Sequence, residues 1–240
     1  METICVVEAN ELKSRDALKQ LSLDDFGKKV IEKEKNFDLE KDFDFKQVIM
    51  CAVIKYKDEY LLYKRDNKEK RLTGKWSCLI GGHARYPEKL KVLDTEDEYV
   101  LADNVDHSWF LSEMIREFKE EFKVNDNYVR GCSFKFSGYL NTDKNEVSRV
   151  HLGIVYVIEV PTRIKMQSEC SDQKYCSFGA LGHNLIDKGE GEVWSVTLIQ
   201  VLKDIGRSDF PTNDIVDEKG RKDLNRPVFA ISDYYEDEEK

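Results

Sequence analysis

Four glutamates, Glu113, Glu117, Glu120 and Glu121, stand three or four residues apart around Arg116 and Lys119. If the stretch is helical, at about 100° per residue, the four carboxylates share an arc of roughly 100° and face one region of space. Unpaired like charges at that spacing destabilise a helix by about 0.2 to 0.5 kcal/mol per pair. Arg116 and Lys119 lie off the centre of the arc and relieve it only in part. A hard divalent cation answers the charge more fully, because Mg²⁺ takes oxygen ligands at about 2.0 to 2.1 Å and commonly shares them among carboxylates, waters and substrate phosphates. A solvated acidic face is the other reading of the same residues.

The elements that must position these acids are legible around them. Leu111, Met114, Ile115, Phe118 and Phe122 fall on one helical face from Phe110 to Phe122, with Asp106 or Ser108 available to cap the start. Upstream, Val48–Ile54 and Tyr60–Tyr63 flank Lys57-Asp58-Glu59 and predict a β-hairpin. A basic loop from Lys64 to Lys75 leads to a strand over Trp76–Ile80, which the pair Gly81-Gly82 is expected to break. Strands are also predicted over Tyr128–Leu140 and Val150–Val160, joined around Asn141-Thr142-Asp143, and an amphipathic helix carries Trp194, Leu198, Val201, Leu202 and Ile205 before Gly206. Thr3–Val7 reads as a short strand, and Asn10–Phe45 as a charged segment with helical spacing at Phe26, Val30 and Ile31. The order is mixed α and β, without an internal repeat. It suggests an N-terminal elaboration over 1–45 packed on the core, a main domain over 46–206 with an insert at about 89–108, and a C-terminal extension over 207–240 ending in an acidic tail.

Gly82, Glu88 six residues on, and then Arg116-Glu117-Phe118-Lys119-Glu120-Glu121-Phe122-Lys123-Val124 resemble the Nudix box, G-x5-E-x7-R-E-U-x-E-E-x-G-U with U apolar. Phe45-Lys46-Gln47, Leu61–Arg65, Arg71–Ser77, Gly81-Gly82-His83 and Arg149–Gly153 look like the MutT-like predicted phosphoesterases of the Nudix superfamily, and the likeness runs to about Ile205. There are two departures. Glu88 and Arg116 are separated by 27 residues where the pattern has seven, and Lys123 stands where the pattern has glycine.

The resemblance implies an α/β/α sandwich with a mixed sheet, and hydrolysis of a nucleoside diphosphate linked to another group. By position, Glu117, Glu120 and Glu121 would bind the metal, Mg²⁺ or alternatively Mn²⁺, and Arg116 would orient a carboxylate through a bidentate pair. Such a metal activates water for attack on phosphorus. Glu117 or Glu120 would be the general base. Glu88 would fill the first acid position of the split box, unless the long separation gives that place to another acid such as Glu113 or leaves it without a counterpart. Glu190 and Glu192, just before the last helix, are candidates for an additional acid, and they also suit the positive end of that helix. Gly82, Arg65, Arg71 and Lys75 are candidates for substrate binding, the cations by contact with phosphate. His83 and His151 read either as substrate contacts or as packed residues, and Trp76 and Trp194 as core or edge aromatics. The insert is either a lid over the site or a surface excursion. A non-catalytic nucleotide-binding sensor that kept the fold is the competing functional reading.

The formal net charge of -9 argues against general nucleic-acid binding, which needs a basic contact face. The expected partner is instead a small phosphate-containing substrate derived from a nucleotide, and a homodimer is compatible with the sequence. The six cysteines form no C-x-x-C pair and no secretory framework, and the first residues lack a basic, apolar leader. Both features are expected of a cytoplasmic protein with no membrane segment.

Overall fold

A computed structural model describes residues 2–12, 15–36, 38–66, 72–87, 105–167, 170–211 and 226–232. The chain runs β1 (Thr3–Glu8), α1 (Arg15–Gln20), α2 (Leu23–Gly27), β2 (Ile31–Glu34), β3 (Phe45–Tyr56), β4 (Glu59–Arg65), β5 (Trp76–Ser77) and β6 (Ile80–His83). It continues through α3 (His107–Phe122), α4 (Asp126–Arg130), β7 (Ser133–Asn141), α5 (Glu146–Arg149), β8 (His151–Glu159), β9 (Cys170–Cys176), α6 (Phe178–Gly182), α7 (Val193–Asp204) and β10 (Phe229–Ser232).

The apolar β3 is the spine of a single mixed sheet. Along one edge it pairs in parallel with β8 from Gln47↔His151 to Lys55↔Glu159. Along the other edge three strands follow one another, all antiparallel: β1 at Phe45–Gln47, β6 at Ile49–Ala52 and β4 at Lys55–Tyr56. Beyond β8 lie β7, antiparallel, and then β10, parallel to β7. Because successive side chains of β3 point to opposite faces, Val48, Met50, Ala52 and Ile54 enter one core with Phe110, Met114, Phe118 and Phe122 of α3. Cys51 and Val53 enter a second core with Trp194, Leu198, Ile199 and Leu202 of α7. Helices therefore cover both faces, an α/β/α arrangement. Burying each large side chain of the α3 stripe contributes about 1.5 to 3 kcal/mol, which fixes the rotation of α3 and aims its flanking glutamates at the edge of β6.

Five local expectations are corrected. Gly81 and Gly82 do not break a strand; they lie within β6, paired with Cys51 and Met50. A Cβ on Gly81 would fall 2.2 Å from Met50 O, so only glycine permits this approach. Ile31, grouped above with helical spacing, begins β2, which pairs with β1 from Val6↔Ile31 to Thr3↔Glu34. Tyr128 belongs to the short helix α4, started by the Asn125 side chain accepting from Tyr128 N, and β7 begins only at Ser133. Arg65 is the last residue of β4 rather than part of a loop. The β7–β8 connection holds α5, capped by Asn145. The strands β9 and β10 were not anticipated; β10, from the segment after residue 206, extends the sheet edge at β7. Most of the insert, residues 88–104, and the acidic tail, 233–240, lie outside the described residues.

Asp106 caps α3 by accepting from Trp109 N. At the other end Lys123, in the box's glycine position, adopts a left-handed conformation with φ 53° and donates its N–H to Lys119 O. That backbone state costs a residue with a Cβ about 1 to 2 kcal/mol relative to glycine. Replacement Lys123→Gly is therefore expected to raise the thermal midpoint by about 2 to 4 °C per kcal/mol recovered. Calorimetry of the two proteins checks this, and a lowered midpoint would contradict it.

Candidate active site

The box helix α3 brings its acids together around one guanidinium. Arg116 Nε and Nη2 donate to Glu113 at 3.1 and 2.8 Å, Nη2 lies 2.7 Å from Glu117 Oε1, and Nη1 donates to Glu120 Oε2 at 3.1 Å. The same Nη2 reaches across to His83 O at 3.0 Å and so ties the helix to β6. Burial works against the Arg116 charge, but the Glu113 and Glu117 carboxylates outweigh it and raise its pKa. Glu113 is buried and also accepts from Arg85 N at 2.8 Å. Of the two candidates for the first acid position, Glu113 sits within this network, whereas Glu88 lies outside the described residues.

Glu117 is 7% exposed, and its carboxylate rests against Gly82. A Cβ at Gly82 would fall 2.5 Å from both carboxylate oxygens, so the glycine makes room for the acid. Burial raises the Glu117 pKa above the usual carboxylate range; Arg116 opposes this, and the charges of Glu120 and Glu121 add to it. Glu120 is half exposed and also meets Arg85 at 3.3 Å. Glu121 is partly buried on the same turn, and its backbone O accepts from Gln167 N. Three carboxylates, one of them buried and crowded by the other two, make an oxygen-only donor set suited to a hard divalent cation. The three do not all approach within 4.8 Å of one another; Arg116 draws Glu117 and Glu120 to itself.

Behind β6, on the α7 side of the sheet, opens a cavity of about 500 Å³ lined by Arg65, Gly81, Gly82, His83, His151 and Trp194, among others. The box acids are not part of its lining; the backbone of Gly82 lies between the cavity and Glu117. Burial first, then the Lys35 and His151 charges, push His83 down to about 3, so it is neutral at physiological pH. His151 Nδ1 lies 2.6 Å from Val147 O, as donor, and its Nε2 stands 3.6 Å from Glu40 Oε1. One ligand atom each from Glu40, His83 and His151 fall within 4.8 Å of one another, the single such set of three among the described residues. Sequence reasoning weighed both histidines but missed Glu40, which a turn at Leu39–Lys41 in the N-terminal segment delivers to the cavity. No local motif signals that delivery.

Other predicted site residues fall as follows. Glu192 lines the cavity but caps α7: Oε1 accepts from Trp194 N at 2.8 Å, and Oε2 from Ser195 N at 3.1 Å and Ser195 Oγ at 3.0 Å. Glu190 is exposed, with its backbone O bonded to Trp76 N. Lys75 is exposed and outside the cavity lining, and Arg71 lies outside the described residues. Trp194 donates from Nε1 to Ser148 Oγ at 3.1 Å, which holds the indole at the cavity wall.

This architecture can be set beside known proteins. No protein-family model matches the chain. Over 171 residues it is 29% identical to protein YmaB of Bacillus subtilis (strain 168), a match covering 69% of this chain and 75% of that one. The crystal structure of Tm1382, described as a candidate Nudix hydrolase, aligns with a TM-score of 0.62 at 24% identity, over 85% of this chain and all of that one. The chain has the Nudix fold. The crystal structure of DR0079 from Deinococcus radiodurans aligns with a TM-score of 0.50 at 13% identity, over 86% of this chain and all of that one. The stretch that resembles the Nudix box lies on β6, which carries its glycines, and on α3, which carries its acids. No helix among the described residues is long and apolar enough to cross a membrane.

The Glu117 environment sets a pH signature in chelator-treated protein. Because the folded pKa is raised, the native state binds more protons than the unfolded state between the ordinary glutamate value and that raised pKa. Stability contributed by Glu117 is therefore present at acidic pH and is lost as pH rises through the folded pKa. Glu117→Gln, which resembles the protonated side chain, is expected to raise the thermal midpoint at neutral pH, with the gain shrinking toward zero below the ordinary glutamate range. Thermal melts across that range check it. A gain that grows on acidification would contradict the assignment.

Proposed function

We propose that this chain is a metal-dependent hydrolase of a phosphoanhydride bond in a nucleoside diphosphate linked to another group, with Mg²⁺ or Mn²⁺ held by Glu117, Glu120 and Glu121. The observation that carries the proposal is the seating of the buried Glu117 carboxylate against Gly82, clamped by Arg116 and crowded by two further acids of the same helix. Even beside Arg116, a buried carboxylate carries a desolvation penalty that its ion pair need not recover. A hydrophobic residue would fill the space more cheaply unless the charge had a use.

When bound, the metal would neutralise phosphate charge and lower the pKa of an attacking water. The residues of the chain supply the rest. Glu117 or Glu120 accepts the proton that water gives up as its oxygen bonds to phosphorus and the P–O–P bridge breaks, a transfer that typically contributes about 100- to 10,000-fold. Arg116, fixed by Glu113 and His83 O, keeps the Glu117 and Glu120 carboxylates apart and oriented. The cavity behind Gly81-Gly82, whose volume lies within the usual range of about 300 to 1,000 Å³ for small-molecule sites, would take only the part of the substrate remote from the bond that is cut, because the box acids lie outside its lining. Arg65 offers a charge to phosphate, and Trp194 an apolar wall. Glu113 is assigned as the acid that holds Arg116.

The test is a panel of dinucleotides, nucleotide sugars and nucleoside triphosphates incubated with the protein and Mg²⁺ or Mn²⁺, with phosphate-bearing products quantified. Metal-dependent turnover of at least one nucleoside diphosphate derivative is expected, and none with chelator. Glu120→Gln is expected to lower turnover at least about 100-fold. Its stability should stay within about 1 kcal/mol of the parent, because its partners meet it at a half-exposed position. Full activity in Glu120→Gln would show that the ligand set is wrong.

A further inference from the structure

We propose a second metal site, formed by Glu40, His83 and His151 on the cavity side of the sheet, that binds a divalent transition ion of the Zn²⁺ class. The proposal is independent of the box chemistry assigned above, because the two donor sets differ in kind and lie on opposite sides of β6.

The three residues converge from distant parts of the chain. Glu40 comes from the turn before β3, His83 from the end of β6 and His151 from the start of β8. β3 lies between the two histidine strands and holds them in register, pairing Ile49 with His83 and Gln47 with His151. The Glu40 Oε1 to His151 Nε2 separation of 3.6 Å fits a shared ion. With metal–ligand bonds of about 2.0 to 2.1 Å it subtends about 120° at the metal. The outer limit of 4.8 Å across the trio requires only a small inward rotation of side chains.

The residues behind the ligands are those a metal site uses. His151 Nδ1–H donates to Val147 O, which commits that nitrogen and leaves the Nε2 lone pair directed toward Glu40. Gln47, almost fully buried, donates from Nε2 to Glu40 Oε1 at 3.0 Å and accepts at Oε1 from His83 Nε2 at 2.9 Å, fixing the carboxylate and that ring relative to each other. Lys35 and Arg65, which also line the cavity, are the cations among the described residues that oppose an ion there; Lys35 is drawn toward Glu2, 3.3 Å away. Two imidazoles and one carboxylate suit Zn²⁺ and its neighbours rather than Mg²⁺, which prefers oxygen alone. Three protein ligands leave a coordination position open, and since all three residues line the cavity, that position faces the space where a substrate would sit.

The test uses untagged, chelator-stripped protein titrated with Co²⁺ and followed by visible absorption, with Zn²⁺ competition and a parallel Mg²⁺ titration. One equivalent of Co²⁺ is expected to bind with the spectrum of nitrogen and oxygen ligation, displaced by Zn²⁺ and not by Mg²⁺. His151→Gln should weaken binding at least about 10-fold. Glu40→Gln, at a partly exposed turn, should do the same, and Glu117→Gln should leave it unchanged. A thiolate charge-transfer band, loss of binding only in Glu117→Gln, or no stoichiometric binding would overturn the site.

Discussion

One guanidinium holds this architecture's chemistry in place. Arg116 bonds Glu113, Glu117 and Glu120 on its own helix and the His83 carbonyl on β6, so three carboxylates that would repel one another are kept within a few ångströms of a strand backbone. The spacing that makes this possible is helical: partners three before, one after and four after Arg116 lie around one side of α3. Because Arg116 is shared among three acids, losing one acid leaves the guanidinium paired, whereas losing Arg116 would leave the buried Glu113 and Glu117 charges uncompensated, at a cost of about 3 to 5 kcal/mol. The stripe Phe110, Met114, Phe118 and Phe122 sets the rotation of the helix, and the arginine sets its distance from β6.

The strand itself does two things at once. On the α3 side, Gly82 yields the space that the Glu117 carboxylate occupies; on the α7 side, the next residue, His83, lines the cavity with His151 and Glu40. The alternation of a β-strand thus separates an oxygen-only donor set from a nitrogen-rich one by a single backbone layer. Glycine in β6 is required by close approach on both sides rather than by a turn.

Sequence reasoning found the parts governed by strong local periodicity. The apolar stripe of α3 and the continuous apolar run of β3 and β8 are each decided within a short window, which also narrowed the cap of α3 to Asp106 or Ser108. Missed elements are those whose pairing decides their conformation: β2, β9 and β10 are short or polar strands that the neighbours β1, β4 and β7 complete. Gly81 and Gly82 misled for a related reason, since a glycine pair is the same in a turn and in a crowded strand. Glu40 was illegible because its meeting with two histidines is a product of sheet order and not of spacing. Glu113 was legible as a candidate for the first acid position, and it makes a bidentate contact with Arg116.

The claim that a water held beside these acids attacks phosphorus is tested most directly by hydrolysing a nucleoside diphosphate derivative in water labelled with heavy oxygen and weighing the products by mass spectrometry. A single label on one phosphate-bearing product is the expected result, dependent on divalent metal. Unlabelled phosphates with label on the other product, which would mean attack at carbon, or the absence of any cleavage, would contradict the account.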